Sequence, residues 1–218
     1  SRRFLEQATI AGKASGDLIG LYIIKTHHLN LHLISGLPLK DLPQWDFEES
    51  YSGRELTYYI THYQISLLKF LVGESAVFEM PRKEPSWLAA ELTIREEKFY
   101  RNYVWARYYF LFGHYQLAAA AAKEADNNRK LQEGSPLLPA NLFIWSLSIT
   151  QSWNQYTEDG RANLKAKVAE ILETFSLWRS EGPDNYQAPW YLLSAESARI
   201  SGDREAALAY YEKSAKAS

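Results

Sequence analysis

The sequence predicts an all-α protein: an irregular, tetratricopeptide-like helical-repeat solenoid of about nine or ten helices. Three observations carry this. Proline and glycine cut the chain into blocks of helical length. Within the blocks apolar residues recur with the period of a helix, and no sustained period-2 alternation occurs between turn signals. Two segments also share one template of small residues: Ala106-x6-Gly113-x4-Ala118-x3-Ala122-x2-Ala125 and Ala195-x6-Gly202-x4-Ala207-x3-Tyr211-x2-Ser214.

Taken in order, residues 3–15 end at Gly16-Asp17, and 17–35 end at Gly36-Leu37-Pro38. Block 39–50 contains Pro43 and is broken by it. Block 53–73 carries Leu56, Tyr59, Ile60, Tyr63, Leu67, Phe70 and Leu71 on one helix face, and Pro81 and Pro85 make 74–85 a loop. Block 86–112 stops at Gly113, and 115–133 stops at Gly134-Ser135-Pro136. Then come 137–155, 161–181, 184–201 and 204–217. In 161–181, Leu164, Val168, Ile171, Leu172, Phe175 and Trp178 form one stripe. Glycine after a periodic stretch is the expected helix stop, because it accepts a left-handed conformation cheaply.

In the shared template, small residues at Ala106, Ala118, Ala195 and Ala207 let antiparallel helices approach closely. Ala122 and Tyr211 then pack toward the next hairpin, and Gly113 and Gly202 close the turns. The distance from Ala106 to Ala195 is not a multiple of the ~34-residue tetratricopeptide period, so the repeat is irregular. No linker forces a division, and 1–218 is read as one domain.

Composition narrows the function classes. With no cysteine, disulfide scaffolds, thiolate metal sites and cysteine nucleophiles are excluded. A net charge of −2 argues against a nucleic-acid partner. No apolar run approaches the ~20 residues of a membrane span, and no basic-then-apolar leader opens the chain, so neither membrane insertion nor secretion is expected and the location expected is cytoplasmic. Gly12-Lys13 is followed by Ala14 and position 7 is Gln7, which breaks the phosphate-loop pattern at both ends. Kinase, dinucleotide and serine-hydrolase signatures are missing as well. The chain is expected to be no enzyme and to hold no cofactor or metal. His28 and His32, four apart within Thr26–His32, have a metal-compatible spacing, but no third ligand accompanies them.

The aromatic content is high, at 14%. Tyr58, Tyr59 and Tyr63, and then Tyr100, Tyr103, Trp105, Tyr108, Tyr109 and Phe110, fit core filling between helix pairs better than a ligand groove. Arg95, Lys98, Arg101 and Arg107 interleave with Glu91, Glu96 and Glu97 and read as a solvated, salt-bridged face. In a two-helix repeat the first helices, here 98–112 and 186–201, line the concave side. Arg101, Tyr108, Trp190, Glu196 and Arg199 are therefore the candidate partner groove.

Three further stretches carry a resemblance. They are Gly16-Asp17-Leu18 with Tyr22–His32 and Ser35–Leu39; Tyr109–Ala118; and Val168–Trp178 with Gly182–Tyr186, Leu193–Arg199 and Gly202. Together they resemble the helical-repeat region of very large bacterial multi-sensor signalling proteins. In those, a Ser/Thr-kinase-like domain and an AAA/STAND-type ATPase precede the repeats, and GAF, histidine-kinase or other output domains follow. The resemblance covers most of the chain, least in 40–100. It implies a non-catalytic module, cut from a larger protein, that mediates protein contacts or relays signals. Its partner would be a protein segment or a neighbouring domain of the same polypeptide. The alternative is a small-molecule-sensing helical-repeat domain of a STAND-type transcriptional regulator.

Overall fold

The computed structural model describes residues 2–16, 24, 26–27, 29–30, 32–34, 38, 64, 67–73 and 95–218. Among them there is no strand. The helices described from end to end are α1 (Arg2–Ser15), α2 (Arg95–Leu111), α3 (Tyr115–Asp126), α4 (Leu137–Gln151), α5 (Glu158–Glu181), α6 (Pro183–Ile200) and α7 (Arg204–Ala217), with short 3-10 segments at Arg129–Gln132 and Trp153–Gln155, and the described residues of 24–34 and 64–71 are helical as well. The expected α class is what the described residues form. Expected blocks 17–35 and 53–73 are described only in part, and 39–50, 74–85 and 86–94 lie outside the described residues. None of the described helices is long and apolar enough to cross a membrane.

The chain divides into two compact units, Ser1–Lys98 and Phe99–Ser218. In the first, Leu29, Leu67 and Leu68 are buried beside the polar Thr26, Asn30, His32 and Gln64. Buried amides need partners. Gln64 Nε2 donates to Asn30 Oδ1 at 3.3 Å, and Asn30 Nδ2 donates to the Thr26 carbonyl one turn back at 3.0 Å.

The second unit is built around α4. Its sequence, LLPANLFIWSLSITQ, has no polar stripe, and a helix apolar all round belongs inside. α3, α5 and α6 pack against it. Two of its hydroxyls bond within the helix: Ser148 Oγ donates to the Ile144 carbonyl at 2.6 Å and Thr150 Oγ1 to the Leu147 carbonyl at 3.0 Å. Asn141 Nδ2 reaches out to the Ala122 carbonyl at 3.0 Å and ties α4 to α3.

α5 starts at Thr157, whose hydroxyl accepts from the Gly160 amide at 3.3 Å, with Glu158 and Asp159 complementing the positive helix end. Its Val168, Ile171 and Phe175 are buried. At the α5–α6 corner, Phe175 meets Trp178 edge-on (5.2 Å between centroids) and Tyr186 edge-on (6.2 Å). Pro183 opens α6 at a position where its missing N–H costs nothing.

The turns α2–α3 and α6–α7 are the same object. At the first, the His114 amide donates to the Tyr109 carbonyl (2.8 Å) and the Gly113 amide to the Phe110 carbonyl (3.1 Å), with Gly113 at φ +76°. At the second, the Asp203 amide donates to the Ala198 carbonyl (3.0 Å) and the Gly202 amide to the Arg199 carbonyl (3.1 Å), with Gly202 at φ +83°. Both are Schellman stops, in which the left-handed residue turns otherwise orphaned carbonyls into acceptors. Around them, Ala106, Ala118, Ala122, Ala125 and Ala195 are fully buried, and Ala207 and Ser214 nearly so.

Candidate functional site

Two groups of side chains occupy the α5–α6–α7 end of the second unit, and helix periodicity separates them. On α7, Tyr211 and Ser214 are three apart and turn toward α6. Ser214 Oγ donates to the Ala188 carbonyl at 3.0 Å. Tyr210 and Lys213, also three apart, occupy the adjacent stripe.

The inner group centres on Glu196, which is only 4% exposed. Its Oε2 accepts from Arg199 Nη2 at 2.6 Å, from Arg199 Nε at 3.2 Å and from Gln151 Nε2 at 3.3 Å. The Tyr211 hydroxyl donates to Oε1. Arg199 Nη2 also donates to the Thr150 carbonyl at 2.7 Å, placing a cation at the negative end of α4. Burial is the largest influence on Glu196 and favours its neutral form. The hydrogen bonds from Arg199 and Tyr211, with the charge of Arg199, outweigh it and hold the carboxyl below its usual range. Tyr211 is pushed up, by burial first and then by its bond to the Glu196 carboxylate. These groups join α4, α6 and α7.

The outer group is a half-exposed aromatic surface carrying two cations. Trp190 meets Tyr191 (5.3 Å between centroids) and Tyr210 (5.9 Å, at 90°), and Tyr191 lies 6.3 Å from Tyr210. The Arg179 guanidinium carbon sits 3.8 Å from the Trp190 ring centroid. Lys213 Nζ stands 5.3 Å from the Tyr210 centroid and 6.0 Å from that of Tyr191. Rings that present a face to water and a cation to one another are amphipathic anchors of the kind interfaces use.

The five groove candidates differ in burial and partners. Trp190 belongs to the outer surface. Glu196 and Arg199 are bonded to each other in the inner group, with the Arg199 side chain 41% exposed. Tyr108 is wholly buried, 5.5 Å from the Trp105 ring, and Arg101 is half-buried. Burial takes Tyr108 and Glu196 out of any solvent-facing groove. Of the aromatic run, Tyr103 is buried as well, and Arg107 lies over its ring and donates to its hydroxyl at 3.3 Å. Tyr58, Tyr59 and Tyr63 lie outside the described residues. Among the histidines, His27 is exposed, while His32 is buried and its Nε2–H donates to the Pro38 carbonyl at 3.0 Å. His28 lies outside the described residues. No group of three or more potential metal ligands occurs among the described residues.

No protein-family model, no curated protein and no solved structure matches the chain.

Arg179, Tyr191, Tyr210 and Lys213 were not singled out from sequence. Each is unremarkable alone, and the surface forms only when α5, α6 and α7 are packed. The available signal was the i,i+3 pair Tyr210–Lys213 beside the paired aromatics Trp190-Tyr191.

Proposed function

We propose that the chain is a non-catalytic helical-repeat module that mediates protein–protein contact or relays signals within a larger bacterial sensor or kinase protein. The observation that carries this reading is the half-exposed Trp190–Tyr191–Tyr210 surface with its two cations. Large rigid rings give contact area at low entropic cost, and such residues dominate protein interfaces.

The layout supports a repeat. Two hairpins share one Schellman turn and one set of buried small residues, consecutive helices from α3 to α7 pack on each other, and α4 also packs on α6. An arrangement in which each element touches its sequence neighbours is how solenoids build extended binding surfaces. The groups at the site are spoken for structurally: Glu196 is saturated by donors, and Tyr211 is bonded to it.

Selecting a displayed random-peptide library against the whole chain tests the proposal. Enriched peptides whose binding falls in Trp190→Ala are the expected result. Failure to enrich any peptide above the bare support sinks it, as does steady ATP hydrolysis or phosphotransfer by the purified chain.

A further inference from the structure

Arg179 and Lys213 differ from the other cations bonded in the second unit. Arg107 donates to the Tyr103 hydroxyl, Arg161 to the Trp153 carbonyl and Arg199 to the Glu196 carboxylate, while Lys167 pairs with Glu170 at 2.6 Å. Arg179 and Lys213 have neither an ion pair nor a protein acceptor among the described residues, and their near neighbours are aromatic faces. A ring face attracts a cation but accepts few of its N–H donors. Arg179, half-buried, is therefore held against Trp190 with its donor edge unmatched, and the ammonium of Lys213 stands beside Tyr210 and Tyr191 of the same three rings.

Resting on the reading above, we propose that this face binds an acidic protein segment. A carboxylate of that segment takes the Arg179 fork, a second takes Lys213, and an aliphatic or aromatic side chain between them lies on Trp190, Tyr191 and Tyr210. Charge complementarity selects this occupant: neither cation has an ion pair among the described residues, and the side chains shared between them are aromatic. A nucleic-acid strand fits less well. The chain carries a net charge of −2, and Glu181 and Glu212 follow Arg179 and precede Lys213 closely in sequence, which opposes a continuous phosphate backbone.

The test is the peptide selection run in parallel on the intact wild-type chain and on Arg179→Glu/Lys213→Glu, with affinities then measured by fluorescence polarisation. Oligothymidylate serves as competitor. The expected result is that wild type enriches net-acidic peptides containing an aliphatic or aromatic residue, and that the double reversal weakens them by on the order of tenfold or more. Thermal midpoint and circular dichroism check that the reversal still folds. If it does not, Arg179→Gln/Lys213→Gln replaces it, with a smaller loss expected in the same direction. Acidic peptides bound equally by both chains overturn the proposal, as does displacement of the peptide by oligothymidylate. Enrichment of neutral or basic peptides also overturns it while leaving the interaction-module reading intact; no enrichment at all ends both.

Discussion

Arg199 donates one Nη2 to the Thr150 carbonyl at 2.7 Å, and the same guanidinium holds Glu196 Oε2 at 2.6 Å. One side chain thus closes the end of α4 and neutralises the buried carboxylate of α6. Removing Arg199 strands the buried Glu196 carboxylate, whereas removing Glu196 leaves Arg199, 41% exposed, open to water.

Glu196→Ala is expected to cost about 3–5 kcal/mol, nearer the lower figure because Arg199 can rehydrate. The check is the urea midpoint at neutral pH. The pH dependence has a definite sign. The folded-state pKa of Glu196 is lowered, so its contribution is fully present above the unfolded value, ~4.3, and is lost as pH falls through the folded one. Glu196→Gln should flatten that acid limb of the stability curve; an unchanged limb would contradict the assignment.

Asp126 gives the opposite sign. Burial, the largest effect, raises its pKa despite Arg129 at 3.6 Å and nearby Lys167. Its ionised form therefore weighs against folding, a penalty that sets in as pH rises through the raised folded value. Asp126→Asn should be more stable than wild type at pH 7, with the advantage shrinking to nothing below the unfolded value of ~3.9. Paired thermal melts across that range decide it.

Gly113→Ala and Gly202→Ala isolate the two Schellman stops. An added Cβ meets nothing within 4 Å at either position, so the cost is conformational alone. Each should lose roughly 1–2 kcal/mol, and because the turns share one bonding pattern the two losses should be alike. A large loss at one and none at the other would show that the turns are not equivalent.

Ala118→Leu and Ala207→Leu introduce bulk at sites with 0% and 4% exposure. Overpacking should cost on the order of 1–3 kcal/mol at each. Wild-type unfolding midpoints would mean that the small residues do not set the helix spacing.

Much of the helical pattern was legible because it is written locally. Gly113, Gly202 and Pro183 mark ends through their own backbone preferences, and observed α5, α6 and α7 lie within three residues of the blocks read from sequence. The buried alanines were visible as a spacing. The Glu196 network was not: Gln151 lies 45 residues and Thr150 and Arg199 lie 49 residues apart from their partners, with no local signature. Trp190, Glu196 and Tyr108 look alike as polar or aromatic residues on first helices. What separates them is which neighbouring helix covers them, and that is a property of packing.

The apolar circumference of α4 has a consequence for synthesis. Thr150 leaves the ribosome 49 residues before Arg199, the side chain that closes its end. At ~5–20 residues per second, roughly 2–10 s pass in which α4 can lean on α3 but not yet on α6. A nascent chain halted in α5 presents that bare flank to whatever is nearby, so a vulnerable interval for this protein comes before the α6–α7 hairpin exists, and a slow codon run there would lengthen it.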